Sequence, residues 1–311
     1  MRSIIATTAV CLALCLQHPV AAQQPSGMAT GQLICRDPAS SLMWKIQGRN
    51  SLVYLFGSIH VGKSDFYPLP PVIESAFQEA EQLVFEVDPQ SAADAEVVAQ
   101  IMARGMLQDG KTLNDLISQP VMSNLVMTLT SLGLPPDNFM NFQPWFLIMV
   151  LTNLQMASLG YLPDHGIERY LIGKKTNRAR ILELESMTEQ IGMLEQLNGE
   201  TFLAYTLEEF EDSKEQIQQM IDAWRCADRE QLQNILFSEL AAEAENNPEM
   251  QKLMEMLFFD RNKKMSAGIR EYLEHGRDDY FVVVGAGHLI GDRSIIDILD
   301  DQYQVMAVRL Q

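Results

Sequence analysis

The run Tyr280-Phe-Val-Val-Val284 constrains this chain most. Five apolar residues in a row, three of them β-branched, read as a strand. The lack of polar alternation means that both faces of that strand are covered, the pattern of an α/β sheet. The run ends at Gly285, and His288 follows after two further residues. The other end of the chain repeats the device. Ser51-Leu-Val-Tyr-Leu-Phe56 reads as a strand running into Gly57, and two residues then separate Gly57 from His60. No finer repeat and no low-complexity tract accompanies these two motifs.

Further strands complete a sheet. Pro71 can open a helix that runs to about Gln82, and Leu83-Val-Phe-Glu-Val87 follows it as a strand. That strand–helix–strand order predicts parallel pairing with a right-handed crossover. Arg180-Ile-Leu-Glu-Leu184 is a third strand, after which Ser186 and Glu189 form a capping box that starts a helix. A helix near Ser294–Leu299 and a strand at Gln304–Val308 close the chain. Between the two sheet-forming ends, apolar residues recur at three- and four-residue spacing through Val97–Leu107, Val121–Leu132 and Phe146–Leu162. Charged, Gln-rich helices run to about Glu245, Asn246-Asn-Pro248 breaks them, and a last long helix runs from about Glu249 to His275. The expected fold is therefore mixed α/β (α+β), a central sheet built from N- and C-terminal segments with a large helical insertion over about residues 95–275.

Residues 1–22 stand apart. Arg2 is a short basic start, Ile4 to Leu16 a short apolar stretch, and Val20-Ala21-Ala22 supplies the small residues a signal peptidase reads. The expected layout is a signal peptide at 1–22, a lead-in at 23–50 and one domain at 51–311, in a protein released to the periplasm or outside the cell. Phe146-Leu-Ile-Met-Val-Leu151 is the most apolar run after the leader, but Thr152, Asn153 and Gln155 end it far short of a bilayer's width. No stable membrane insertion is expected once the leader is gone. The net charge of −18 becomes −19 when Arg2 is removed. So acidic a surface excludes nucleic acid and anionic lipid as partners, because both need clustered Lys and Arg. Only Cys35 and Cys226 survive leader removal. In an oxidising compartment such a pair, with no second Cys or His at ligand spacing, predicts a disulfide.

Polar groups gather where strands end. His60, Glu86, Glu185 and His288 all end or follow an expected strand, the edge at which open α/β sheets bind ligands. Gly57, Gly285 and Gly287 permit tight turns that aim each imidazole into a shared cleft. Two imidazoles with carboxylates make a nitrogen/oxygen set suited to a divalent ion such as Zn, Mn or Co. An ion with open positions activates water and polarises a carbonyl. A single Gly-x-x-His remains a weak signal, and a strand-end histidine with a purely structural role stays open beside the metal reading.

Taken in order, Tyr54-Leu-Phe-Gly-Ser-Ile-His-Val-Gly62, Leu83-Val-Phe-Glu-Val-Asp88, Leu184-Glu185 with Gln190, Arg261-Asn262 with Met265, and Phe281-Val-Val-Val-Gly-Ala-Gly-His-Leu-Ile-Gly291 resemble the TraB/GumN pattern over about residues 51–309. That family includes pheromone-shutdown proteins and the Tiki proteases, and resembles erythromycin esterases and ChaN-like proteins in fold. The resemblance implies metal-dependent peptide hydrolysis, with His60 and His288 as the motif histidines, Glu86 and Glu185 as the strand carboxylates, and Arg261 as a grip for a substrate carboxylate or oxyanion. On this reading Glu86 is both a metal ligand and a catalytic group. The chain departs from the pattern at Asp164-His165-Gly166-Ile-Glu168, where the family usually ends in Asp.

Two other functions stay open: an esterase-like hydrolase working through His and Glu without a metal, and a non-catalytic haem, metal or peptide binder. The partner expected on the leading reading is a peptide or small-molecule substrate; the sequence leaves the oligomeric state open. Some nearby residues carry bland alternatives. His165 reads as a third nitrogen ligand or a turn residue, Asp88 as support for Glu86 or a strand terminator, and Lys63, Asp65 and Tyr67 as cleft mouth or ordinary loop. The 18 methionines read as core packing or as an adaptable groove.

Overall fold

The computed structural model describes residues 33–175, 179–210 and 212–310, so the expected leader at 1–22 lies outside the described residues. Among the described residues six strands are formed: β1 Met43–Gln47, β2 Leu52–Ser58, β3 Gln82–Phe85, β4 Arg180–Glu183, β5 Asp279–Gly285 and β6 Val305–Ala307. They make one sheet in the order β4-β3-β5-β2-β1-β6. The last strand of the apolar pattern thus sits in the middle. β5 runs parallel to both neighbours, with Phe281 opposite Tyr54 on β2 and opposite Leu83 on β3. Tyr280 to Val284 are all at most 7% exposed. Burying each Val or Phe stabilises by about 1.5–3 kcal/mol, so this strand carries a large share of the sheet's core.

Two sequence expectations need correcting. β2 and β3 run in the same direction, as the strand–helix–strand order implied, but they are not neighbours. β5 lies between them, because an all-apolar strand is accommodated best where both of its edges are paired and both faces covered. The sheet also begins earlier than residue 51. Met43–Gln47, within the expected lead-in, pairs antiparallel with β2 and buries Met43, Trp44 and Ile46. A tight turn joins the two strands, with the Gly48 N–H donating to the Ser51 carbonyl at 2.9 Å. β6 adds to the outer edge of β1, Trp44 facing Ala307.

The helical middle matches its apolar spacing. Helices form at Ala95–Gly105, Gln119–Ser131 and Pro144–Ser158. The last buries its apolar run apart from the half-buried Val150, Leu147 and Leu151 being fully shielded. These helices build a second core next to the sheet's own. Val87 and Met187, just past the ends of β3 and β4, belong to that second core, so the helical layer covers the carboxyl ends of those strands. The long helix expected to His275 is present as Pro248–Met254 and Asp260–His275, joined by a π-helical turn at Glu255–Phe259. Among the described residues no helix is long and apolar enough to cross a membrane. Cys35 and Cys226 are disulfide-bonded, 191 residues apart in sequence with Cα atoms 5.1 Å apart. The bond ties the segment before β1 to the end of the Ser213–Arg225 helix.

Candidate active site

Four parallel strands, β4, β3, β5 and β2, end at one edge, and a candidate residue follows each. β2 and β5 are direct neighbours, with Ser58 opposite Gly285. The two Gly-x-x-His motifs therefore leave adjacent strands one residue out of step, and their histidines turn toward the same place. His60 is 9% exposed, Glu86 4% and His288 1%. All three border one cavity, whose other wall is apolar and includes Met220, Trp224, Leu232 and Leu236. Trp224 is fixed there by its indole N–H, which donates to the Gly57 carbonyl at 2.9 Å.

Gly285 marks where the three groups meet. A Cβ placed on it would lie 3.6 Å from Glu86 Oε2, 3.6 Å from His288 Cδ2 and 3.7 Å from His60 Nε2. Each group is held from behind. Glu86 Oε2 accepts from the Gly285 N–H at 3.0 Å and lies 3.9 Å from His288 Nε2. Its Oε1 accepts from Gln190 Nε2 at 2.9 Å and from Arg261 Nη2. His288 Nδ1 is 2.6 Å from Asn262 Oδ1. His60 Nδ1 is 3.0 Å from Glu168 Oε1, inside ion-pair range, but the two are not aligned as a hydrogen bond. The same Glu168 oxygen accepts from the Ser58 hydroxyl. The His60 loop is clamped onto the next turn. The Ile167 N–H donates to the Ile59 carbonyl at 3.1 Å, and a Cβ at Gly166 would fall 2.2 Å from the His60 carbonyl oxygen. Only glycine permits that approach.

The remaining two candidates stand one layer back. Glu185 does not border the cavity. Its Oε2 accepts from Arg261 Nε at 2.9 Å, from Arg261 Nη2 at 2.8 Å and from Gln190 Nε2 at 3.3 Å. Arg261 spends its last terminus on the Leu257 carbonyl at 3.2 Å and is 5% exposed. The sequence reading gave this guanidinium to a substrate anion; here it is engaged by two buried carboxylates and a carbonyl. The reason is its helix position. Phe258, Arg261, Asn262, Met265 and Ile269 form one inward stripe of the Asp260–His275 helix and the turn before it, facing the strand ends rather than the cavity.

The electrostatics differ across the site. Burial pushes Glu86 toward its neutral form, but Arg261, the two histidines and the Gly285 N–H together outweigh that and hold its carboxyl well below the usual range. Burial and the nearby Arg261 push the His288 pKa down to about 3, against the pull of Glu86. Burial also lowers His60, but Glu168 more than reverses it, and the net shift is upward. Two histidines alike in sequence motif are thus unlike in chemistry: Nδ1 of His288 is backed by a neutral amide, Nδ1 of His60 by a carboxylate.

The nearby residues take the plainer readings. Asp88 caps the Pro89–Ala92 helix by accepting from the Gln90 N–H at 2.9 Å. Tyr67 stacks on Tyr170 at 3.8 Å and donates to the His165 carbonyl at 2.6 Å. His165 does not border the cavity. Lys63 sits over the Tyr161 ring, Asp65 pairs with Arg225, and His275 is exposed beside Glu271 and Glu274. Many methionines, among them Met43, Met149, Met156, Met220, Met250 and Met265, are buried in the two cores.

A profile of the TraB/PrgY/gumN family matches residues 42–306. The chain belongs to this family. Among its relatives, the uncharacterized protein YbaP of Escherichia coli (strain K12) is 29% identical over 253 residues, covering 80% of this chain and 88% of YbaP. A Metalloprotease TIKI homolog of Nematostella vectensis is 23% identical over 316 residues, covering 84% of this chain and 65% of that protein. Metalloprotease TIKI1 of Xenopus tropicalis is 23% identical over 313 residues, covering 84% and 60%. No solved structure matches the chain. Among the described residues no group of three His, Cys, Asp or Glu side chains is arranged to hold an ion as placed. The donor types do fit. Two imidazoles and a carboxylate converge on one point, a nitrogen/oxygen donor set of the kind that holds a divalent ion.

Proposed function

We propose that this protein is a divalent-metal-dependent hydrolase that cleaves peptide bonds. The observation that carries the reading is the convergence of His60 Nε2, Glu86 Oε2 and the His288 ring within 3.7 Å of one point above Gly285. The family membership and the metalloprotease names of the TIKI relatives support it. In this reading His60, Glu86 and His288 hold the ion, of Mn, Zn or Co type. When bound, the ion supplies Lewis-acid polarisation of a carbonyl and a more acidic water. The protein's own part is orientation. Arg261 and Gln190 fix Glu86 Oε1 so that Oε2 faces the histidines. Glu185 acts through Arg261, neutralising it and setting its angle, rather than as an ion ligand. The apolar wall of Met220, Trp224, Leu232 and Leu236 keeps bulk water from the donors, which strengthens every charge interaction there.

A second reading has its own observation. His60 beside Glu168 at 3.0 Å is a carboxylate–imidazole pair, the arrangement of a general base in a hydrolase that needs no metal. We also propose that residues 1–22 are an export leader and that the protein works in the periplasm or outside the cell, a setting that the Cys35–Cys226 disulfide favours. The deciding experiment is turnover of a mixed peptide library by purified protein, with and without chelator. Turnover lost on chelation and restored by added Mn²⁺ or Zn²⁺ supports the metal reading. Turnover indifferent to chelation supports the His60–Glu168 reading. Absence of turnover with any added ion sinks both.

A further inference from the structure

Asn262 has no role in the sequence reading beyond its place in the family pattern, yet it touches one of the two central histidines. It is 2% exposed and sits in the first turn of the Asp260–His275 helix, directly after the π-helical turn. Such turns reset the phase of a helix and recur at functional sites. Here two adjacent side chains serve different strands: Arg261 reaches the carboxylates after β3 and β4, and Asn262 reaches His288 after β5.

The amide of Asn262 has two contacts, and one of them fixes the other. Its Nδ2 lies 2.9 Å from the Arg293 carbonyl oxygen. A carbonyl oxygen only accepts, so the amide nitrogen must face it. Turning the amide over would set two oxygens against each other and lose that bond. Arg293 itself is firmly placed. It has a left-handed backbone (φ 58°), a conformation a non-glycine residue keeps only where its surroundings hold it. Its guanidinium forks onto Glu255 at 2.7 and 2.7 Å and lies 3.7 Å above the Phe259 ring, and its N–H donates to Asp297 at 2.9 Å. With the nitrogen committed to Arg293, the amide oxygen is left facing His288 Nδ1 at 2.6 Å. That ring nitrogen must then carry the hydrogen.

We propose that Asn262 is a positioning residue that locks His288 in the Nδ1–H tautomer, leaving Nε2 bare and aimed at Glu86. This deepens, and rests on, the reading of the site as a metal centre. Its consequence is local and physical. Bare Nε2 and ionised Glu86 Oε2 are two acceptors facing each other across 3.9 Å. Two acceptors at that separation repel unless a cation, or a water donating to both, lies between them. Asn262 thus turns a histidine that would otherwise cap Glu86 as a donor into half of a cation-attracting pair. A ring hydrogen bond of this kind also fixes the plane of a ligating imidazole and raises its basicity. A neutral amide does this without adding a second negative charge beside Glu86.

The test uses metal-free protein labelled with ¹⁵N at histidine, with the His288 signals assigned through His288→Ala. Long-range ¹H–¹⁵N spectra distinguish the two tautomers. The wild type is expected to show Nδ1–H at His288. Asn262→Asp, which keeps an acceptor toward Nδ1, is expected to retain it, whereas Asn262→Leu is expected to lose it and populate Nε2–H. Titration with Zn²⁺ and Mn²⁺ alone should then show Asn262→Leu about 10–100-fold weaker than wild type, with Asn262→Asp closer to wild type. An Nε2–H tautomer in the wild type overturns the proposal without recourse to any variant. So does a folded Asn262→Leu protein that keeps Nδ1–H. A wild type with Nδ1–H that takes up neither ion overturns the metal reading and leaves the role of Asn262 standing.

Discussion

Replacing Arg261 by Met keeps much of its packing volume and removes the positive charge that pairs with both Glu86 and Glu185. Both carboxylates are buried, 4% and 5% exposed, and both take charge-assisted bonds from this guanidinium. Breaking a buried pair by removing one partner typically costs about 3–5 kcal/mol. The structure sets a pH dependence on that cost, because a stranded carboxylate can escape by taking a proton. Glu86 has an ordinary pKa of 4.5. Protonating it costs about 4 kcal/mol at pH 7.5 and about 1.4 kcal/mol at pH 5.5, at 1.36 kcal/mol per unit. The sign follows from the shifts. In the intact protein Arg261 depresses Glu86, so its stabilisation is present above pH 4.5 and lost as pH falls. In the variant burial acts without its main counterweight and raises it, so stability is lost as pH rises above 4.5. The two curves therefore separate with increasing pH. Urea unfolding of chelated wild type and Arg261→Met should differ by about 3–4 kcal/mol at pH 7.5 and about 1–1.5 kcal/mol at pH 5.5. Adding Glu86→Gln and Glu185→Gln should recover most of the difference at pH 7.5. An equal cost at both pH values would refute the reasoning, since it would mean that lost packing, not stranded charge, sets the penalty.

Gly285→Ala should keep the fold and lose the site: the backbone there is not left-handed (φ −52°), the new methyl meets its neighbours at ordinary contact distance, and stability should change by less than about 1 kcal/mol. The methyl would stand among the three donors, so ion binding measured calorimetrically should weaken at least about tenfold, against unchanged binding if the donors do not share an ion. Cys35→Ser with Cys226→Ser should lower stability in urea by up to about 5 kcal/mol, the chain-entropy value for so long a loop; no loss would show that the unfolded chain is constrained in other ways.

The sheet was legible wherever one strand carried its own signal. Tyr280–Val284 announced a central buried strand because nothing polar interrupts it, and the strand ends then located His60, Glu86 and His288 together. β1 was missed because Met-Trp-Lys-Ile-Gln is five residues long and follows a Gly/Ser/Pro-rich stretch, so its pairing with β2 is a tertiary fact rather than a local one. Neighbour order was also beyond the sequence: nothing in Pro71–Glu79 says that a strand from the far end of the chain will enter between β2 and β3. Arg261 was found as a residue but given the wrong neighbours in space, since a lone arginine on a helix does not reveal that two carboxylates from separate strands converge on it. Asn262 had a readable signal. It falls on the inward stripe shared by Phe258, Arg261, Met265 and Ile269, where a buried amide needs partners. Glu168, longer than the family's Asp, still comes within 3.0 Å of His60 Nδ1, so the departure from pattern preserved a carboxylate at that nitrogen.

The central claim is that His60 and His288, 228 positions apart in sequence, serve one ion. It is tested most directly by metal content, measured on purified, melt-checked wild type, His60→Ala, His288→Ala and the double variant after loading with Zn²⁺ or Mn²⁺ and desalting. Because residues acting as a unit are non-additive, the account predicts near-complete loss of bound ion in either single variant and little further loss in the double, with each protein still folded. Partial losses that add in the double variant, or full occupancy when both histidines are gone, would contradict it.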